Sequence, residues 1–194
     1  VELGRLLRRQ VWLKSGGYIV IDQTEALVSI DVNTGRYVGR DSLEETTLRV
    51  NLEAVREIVH QLQLRDIGGI IVIDFIDMAE PEHRAEVYRS LMEELREDRA
   101  RTTVLPISEL GLLEMTRKRV REDVTRYLSE PCDYCDGRGY TKSRATVAYE
   151  IFNALRDIAT RNPSDWIEVC CHPDVAALLV DAEGETLQEI EGRY

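Results

Sequence analysis

After Gly68-Gly69 the chain reads Ile70-Ile71-Val72-Ile73-Asp74-Phe75-Ile76-Asp77, a β-branched run with no polar position before its first carboxylate. A row of Ile and Val this long reads as a buried strand. The segment ahead of it is a helix in pattern. Ser42-Leu43-Glu44-Glu45 makes a capping box, with Ser42 as N-cap and Glu45 three residues on. Leu48, Leu52, Val55, Val59 and Leu62 then recur at helical spacing, and the pattern is expected to stop at Gly68-Gly69. Upstream of the helix stands a second apolar run ending in an acid, Ser29-Ile30-Asp31-Val32-Asn33. Strand, helix and strand in this order suit an α/β layer.

The remaining elements extend that plan. Tyr18–Asp22 and Ala26–Val32 are two strands joined by the polar turn Gln23-Thr24-Glu25, a hairpin. A polar loop runs from Thr34 to Arg40. Pro81 opens an amphipathic helix carrying Val87, Leu91 and Leu95, and Thr102–Ile107 reads as a strand. Leu110–Val120 fits both alternation (Leu113, Met115) and helical spacing (Leu112, Met115, Arg119). Composition shifts at Ser129-Glu130-Pro131, before Cys132-Asp133-Tyr134-Cys135-Asp136-Gly137-Arg138-Gly139. Beyond it, Val147, Ile151, Leu155 and Ile158 mark a helix, Trp166–Cys171 a short strand, Pro173–Val180 a helix, and Gly184 onward a last helix. The expected domains are 1–128, a knuckle at 129–142, and a small unit at 143–194 that leans on the first or on a second copy.

With 194 residues, 43% hydrophobic and 31% charged, the chain has the make-up of a globular protein with one substantial domain and an appendage. It has neither a bilayer-length apolar stretch nor the apolar core of a secretory signal, so a cytoplasmic setting is expected. It starts without Met inside a helix-like pattern, which suggests a fragment. The net charge of −11 argues against holding nucleic acid by bulk positive potential. Local cationic groups or a metal would have to do so instead.

Asp31 and Asp74 are the chemical focus. An ionised carboxylate at the end of an apolar run is costly unless compensated, and a divalent cation with hard oxygen ligands compensates it well. In a strand, residues i and i+2 share a face, so Asn33 can join Asp31 at one ion and add a carbonyl oxygen without more repulsion. A bound Mg²⁺ or Mn²⁺ there polarises a phosphodiester and lowers the pKa of a coordinated water. Asp22 and Asp77 are weaker candidates, Asp77 as a supporting or loop-capping group. For any single Asp the bland reading is a solvated strand end or a helix cap.

No GxxxxGK[ST] or strand-following GxGxxG is present, and no Ser/His/Asp or Cys/His set stands out. His60, His83 and His172 read as structural or solvated. Arg96, Arg99 and Arg101, then Arg117, Lys118, Arg119 and Arg121, form two basic runs. Such runs are usually solvated helix faces; near the carboxylates they would grip the phosphates of a nucleic acid.

Cys132-x-x-Cys135 supplies two of the four ligands Zn²⁺ prefers. The others must come from Cys170, Cys171, His172 or another chain. Adjacent cysteines chelate one ion poorly, and Cys170 and Cys171 read as buried thiols. Two knuckles face to face across a symmetric dimer would complete a Cys₄ site. A thioredoxin-type redox pair lacks the βαβ context, and a chaperone-like CxxCxGxG repeat would need further copies. Gly137 and Gly139 permit the tight backbone of a knuckle.

These stretches together resemble the catalytic region of the bacterial ribonuclease E/G family. The matching segments are Gly16–Asp22 with Thr24–Leu27, Ile30–Asn33, Glu44–Thr46 with Asn51–Ala54, Leu64–Met78, Gly111–Arg117 and the Cys132/Cys135 knuckle. They cover most of residues 10–142, while the segment after 143 matches loosely.

The resemblance implies an α/β (α+β) fold with a DNase I-like subdomain, a zinc link and a small dimerisation domain. It implies Asp31 and Asp74 as Mg²⁺ ligands with Asn33 assisting, and endonucleolytic cleavage of single-stranded RNA, in ribosomal RNA processing or messenger decay. Products with 5′-phosphate and 3′-hydroxyl ends are expected. Arg101 falls where the family has an arginine that helps recognise the RNA 5′ end. Cys132 and Cys135 fall on the zinc-sharing pair joining two protomers, with higher homo-oligomers left open. The family's upstream S1 and 5′-sensing modules have no counterpart in these residues. The alternatives are a zinc-joined assembly module without independent catalysis, and a deoxyribonuclease or phosphatase on a similar sheet.

Overall fold

The structure, a computed structural model, describes residues 3–35, 43–161, 166–182 and 184–193. The chain divides into two compact units, Val1–Glu130 and Pro131–Tyr194.

The first unit runs α1 (Leu3–Leu6), β1 (Gln10–Trp12), β2 (Tyr18–Gln23), β3 (Leu27–Asn33), α2 (Leu43–Leu64), β4 (Gly69–Asp74), α3 (Pro81–Glu94), β5 (Thr102–Val104), β6 (Leu112–Arg117) and α4 (Val124–Leu128). The six strands form one sheet in the order β1-β2-β3-β4-β6-β5. β3 and β4 are parallel, as the crossover through α2 requires, and the other neighbours are antiparallel.

Alternation decides the layers. Ile19, Ile21, Val28, Ile30, Val32, Ile71, Ile73, Leu113 and Met115 point inward and are buried. They meet Val50, Ala54, Val55, Ile58, Val59 and Leu62 of α2 and Val87 and Leu91 of α3. Each fully buried Ile or Leu in this layer contributes about 1.5–3 kcal/mol. The residues of opposite parity form a second face that is far more open, with Ile70 half exposed and Asp31 and Asp74 exposed.

α2 ends at Leu64, four residues short of the expected glycine stop. Asp66 adopts a left-handed φ of 52°. The Ile67 N–H bonds Leu62 O at 2.9 Å and the Asp66 N–H bonds Gln63 O at 3.3 Å, with Leu62 and Ile67 both buried. This is a Schellman closure in which Asp takes the position usually given to Gly. The expected capping box rests on Ser42, which lies outside the described residues. Within Leu110–Val120, Leu112–Arg117 is a strand, with its inward parity on Leu113 and Met115. β5 is shorter than expected. Leu105 N–H still bonds Glu114 O at 2.9 Å, but Pro106 has no N–H and ends the ladder.

The second unit contains α5 (Arg144–Arg161), α6 (Pro173–Ala177), which continues as a wider turn over Leu178–Ala182, and α7 (Gly184–Arg193). Ala148, Phe152, Leu155, Val175, Leu179 and Ile190 form its core. The strand expected at Trp166–Cys171 does not form: the segment is irregular, with Trp166, Ile167 and Val169 exposed. A strand needs a paired neighbour, and none lies beside it among the described residues of this unit. No described helix is long and apolar enough to cross a membrane.

Candidate active site

Asp31 and Asp74 are register partners on the two parallel strands. Neighbouring strands lie about 4.8 Å apart and partners share a face, so both carboxylates leave the open face side by side. Asn33 joins them: its Nδ2 donates to Asp31 Oδ2 at 2.7 Å. Desolvation first, then the negative charges of Asp31 and Asp77, hold the Asp74 carboxyl above the usual carboxylate range. The folded chain thus concentrates like charge at one point of the sheet. Two carboxylates and an amide oxygen form the donor set a hard divalent cation prefers, so the residues present fit Mg²⁺ or Mn²⁺. Among the described residues no cluster of three or more His, Cys, Asp or Glu forms, so such an ion would retain waters.

Close backbone approaches support this end of the sheet. A Cβ on Gly17 would lie 2.7 Å from Asn33 O. Gly111 has φ +79° and faces the chain just after β4, where Phe75 N–H bonds Gly111 O at 3.2 Å. The segment that carries Asp77 is pinned from the helix layer. Asn51 of α2 is fully buried; its Nδ2 donates to Ile76 O at 2.9 Å and its Oδ1 accepts from Ile76 N–H at 3.1 Å. In the sequence Asn51 stands only within a stretch that matches the family and carries no assigned role. The available signal was an amide at position 51 on a stripe otherwise filled by Ala54, Val55 and Ile58. Asn51→Ala strands both Ile76 groups and is expected to cost about 2 kcal/mol in urea unfolding. An unchanged midpoint would show the pair is replaced by water at no cost.

Asp22 is engaged elsewhere. The Arg9 guanidinium binds both its oxygens, Nη2 to Oδ2 at 2.7 Å and Nε to Oδ1, and that hydrogen bonding holds the carboxyl below its ordinary range. Asp77 acts on Asp74 through its charge and lies beside Gly111.

The basic residues lie elsewhere than beside the carboxylates. β4 and β6 are antiparallel, pairing Asp74 with Leu112 and Gly69 with Arg117. Arg117, Lys118 and Arg119 therefore sit at the opposite end of β4, five residues or about 17 Å from Asp74. Arg101 is with them, its carbonyl accepting from Lys118 N–H at 2.9 Å. Arg101, Lys118 and Arg119 are exposed, and Arg119 Nε donates to Gly68 O at 3.3 Å.

Arg117 corrects the expectation of an RNA contact. It is 5% exposed, donates Nε and Nη2 to Asp98 at 2.7 and 3.0 Å, and donates Nη1 to Ile67 O at 2.7 Å and to Asp66 at 3.4 Å. Parity puts it on the inner face with Leu113 and Met115, and four hydrogen bonds within the fold engage its guanidinium.

In the second unit the Cys135 N–H bonds Cys132 O at 3.2 Å, and the Gly139 N–H reaches Cys135 Sγ at 3.4 Å. The Gly139 N–H is the largest influence lowering the Cys135 thiol from its usual value, as suits a metal-binding thiolate. Two cysteines fit half of a tetrahedral zinc site. Cys170 is exposed and Cys171 half-buried, neither in a cluster of three among the described residues, while His172 caps α6 by accepting from Asp174 N–H at 3.2 Å. His83 faces Glu44 at 3.2 Å, and His60 is exposed on α2.

Fold and site together define a layered α/β protein with a paired-carboxylate centre at the end of two parallel strands. The sequence model described as Ribonuclease E/G family matches residues 1–120, and one described as RNase E/G, Thioredoxin-like domain matches residues 131–194. The chain belongs to the ribonuclease E/G family. It is 46% identical over 190 residues to Ribonuclease G of Escherichia coli strain K12, covering 98% of this chain and 39% of that protein. Ribonuclease G of Haemophilus influenzae is 46% identical over 186 residues, covering 95% and 38%. Ribonuclease E of Escherichia coli strain K12 is 38% identical over 192 residues, covering 99% and 18%. The chain thus spans about two-fifths of the length of the ribonuclease G relatives.

Proposed function

We propose that this chain is the catalytic core of a Mg²⁺-dependent endoribonuclease that cuts single-stranded RNA and leaves 5′-phosphate and 3′-hydroxyl ends. The observation that carries the reading is the register pairing of Asp31 with Asp74, with Asn33 bonded to Asp31. Asp31 and Asp74 would hold Mg²⁺ or Mn²⁺. Bound there, the ion supplies a Lewis acid for a phosphodiester oxygen and a water of lowered pKa. Asn33 fixes the rotamer of Asp31 by donating to one of its oxygens. Asn51 holds the Asp77 segment, whose charge keeps the local potential negative.

Arg101, Lys118 and Arg119 contact RNA phosphates at the far end of the sheet, so a substrate strand runs along β4 rather than sitting over the acids alone. The setting is cytoplasmic, and the substrates are ribosomal precursors or messengers. The test is cleavage of end-labelled single-stranded RNA with Mg²⁺, with product ends assigned by a 5′-monophosphate-dependent exonuclease. Products that resist it, or activity undiminished by chelator, overturn the reading.

We assign residues 1–128 to catalysis, 129–142 to the zinc link and 143–194 to dimerisation. Cys132 and Cys135 from two copies share one Zn²⁺, a role that the N–H donors around the Cys135 thiol support. Elemental analysis should then find about half a zinc per chain, in a dimer that dissociates with chelator. One zinc per monomer would instead implicate Cys170, Cys171 or His172. A zinc-bound dimer that cuts no RNA would leave an assembly module, and preference for DNA or phosphomonoesters would point to the third alternative.

A further inference from the structure

We infer that Trp12 and Tyr18 form a stacking platform for the nucleobase next to the scissile phosphate, an inference that deepens the nuclease reading and rests on it. The sheet register places both rings. β1 pairs Trp12 with Tyr18, and β2 pairs Tyr18 with Asn33, so the three residues make one row across the sheet. Partners across an antiparallel ladder share a face. Asn33 in turn shares the face of Asp31, to which its amide is bonded at 2.7 Å. Strand spacing puts Tyr18 one strand and Trp12 two strands from Asn33, about 10 Å in all. The rings meet edge to face, with centroids 5.3 Å apart and planes at 60°.

Core packing does not account for this pair. Trp12 is 64% exposed, and the inward position of β1 is filled by Val11, which packs against the core. Most of the indole therefore faces water on a three-residue edge strand, where charged residues are the usual choice. An exposed aromatic face beside a phosphate-handling centre suits a base, because a nucleobase lies one sugar away from its phosphate. Base–aromatic stacking also tolerates any sequence. A duplex keeps its bases stacked on one another, whereas an unpaired base is free to leave for the ring. The platform thus selects for an unpaired nucleotide at the cut, without reading which base it is.

Trp12 and Trp166 are the two tryptophans, so Trp166→Phe leaves Trp12 as the sole indole reporter in the full chain. Single-stranded oligoadenylate should quench its emission, and a strand of the same backbone with abasic residues should not. In cleavage assays Trp12→Ala should raise KM for single-stranded RNA about fivefold to a hundredfold with kcat little changed, and Trp12→Phe should recover most of the loss. Unchanged emission on binding, quenching by the abasic strand, or an unaltered KM in Trp12→Ala overturns the platform and leaves the nuclease reading intact. A parent chain that cuts no RNA with Mg²⁺ overturns the nuclease reading and the platform with it.

Discussion

Replacing Asp31 and Asp74 together by Asn is expected to abolish Mg²⁺-dependent RNA cleavage while the chain stays folded. An ion held at this pair supplies several kcal/mol of transition-state stabilisation, and each 1.36 kcal/mol is a factor of ten, so the fall is about a thousandfold or more. Stability should move the other way. Asp74 is held above its ordinary pKa by desolvation and by Asp31 and Asp77. Its ionised form is therefore disfavoured on folding, and that destabilisation is present at neutral pH and relieved as pH falls through the raised value. Asn at this position removes the penalty, so the metal-free variant should unfold at the parent's temperature or above it. Mg²⁺ at a hundred times its Kd should stabilise the parent by about 2.7 kcal/mol and the variant not at all. A double variant that cuts at the parent's rate, or that still gains thermal stability from Mg²⁺, removes these residues from the site.

Arg117→Met should be among the most destabilising single changes in the first unit, at about 3–5 kcal/mol. It leaves the Asp98 carboxylate, whose side chain is 2% exposed, buried without its partner, and frees Asp66 and Ile67 O besides. The loss is large beside a typical total stability of about 5–15 kcal/mol. Arg117→Lys should fall between, since an ammonium cannot match the paired bonds to both Asp98 oxygens. Asp98→Leu added to Arg117→Met should restore much of the loss.

The pH dependence follows from Asp98. Burial alone would raise its carboxyl, but the Arg117 hydrogen bonds, the Ala100 N–H and the guanidinium charge together hold it below the ordinary range. The stability it contributes is thus full above the unfolded value, about pH 3.9, and is lost as pH falls through the lower folded value. In Arg117→Met that acid-side loss should disappear. An unchanged urea midpoint together with weakened RNA binding would return Arg117 to the surface role that its sequence position suggests.

Arg117 also shows where reading the chain stops. The strand–helix–strand unit, the hairpin and the convergence of Asp31 with Asp74 are legible because β-branched runs and helical spacing mark elements and faces directly. The stretch carrying Arg117 fitted two periods at once, and until it is a strand its parity is undefined. Once Leu113 and Met115 point inward, Arg117 must follow them. The position of Lys118 and Arg119 depends on the antiparallel direction of β6, a long-range fact that no local pattern carries. Trp166–Cys171 has the composition of a strand, but composition does not supply a neighbour. Asn51 was visible as a polar interruption of an apolar stripe, yet its partner, the backbone of Ile76, is 25 residues away.

The ladder between β3 and β4 makes the acid pair discrete rather than adjustable. Slippage of one strand past the other can occur only in whole residues, and a slip of one would carry Asp74 through the sheet into the hydrocarbon layer occupied by Ile71 and Ile73. Insertions in surface turns can accumulate without touching the spacing of the carboxylates, whereas adding or removing a single residue within either strand destroys it outright.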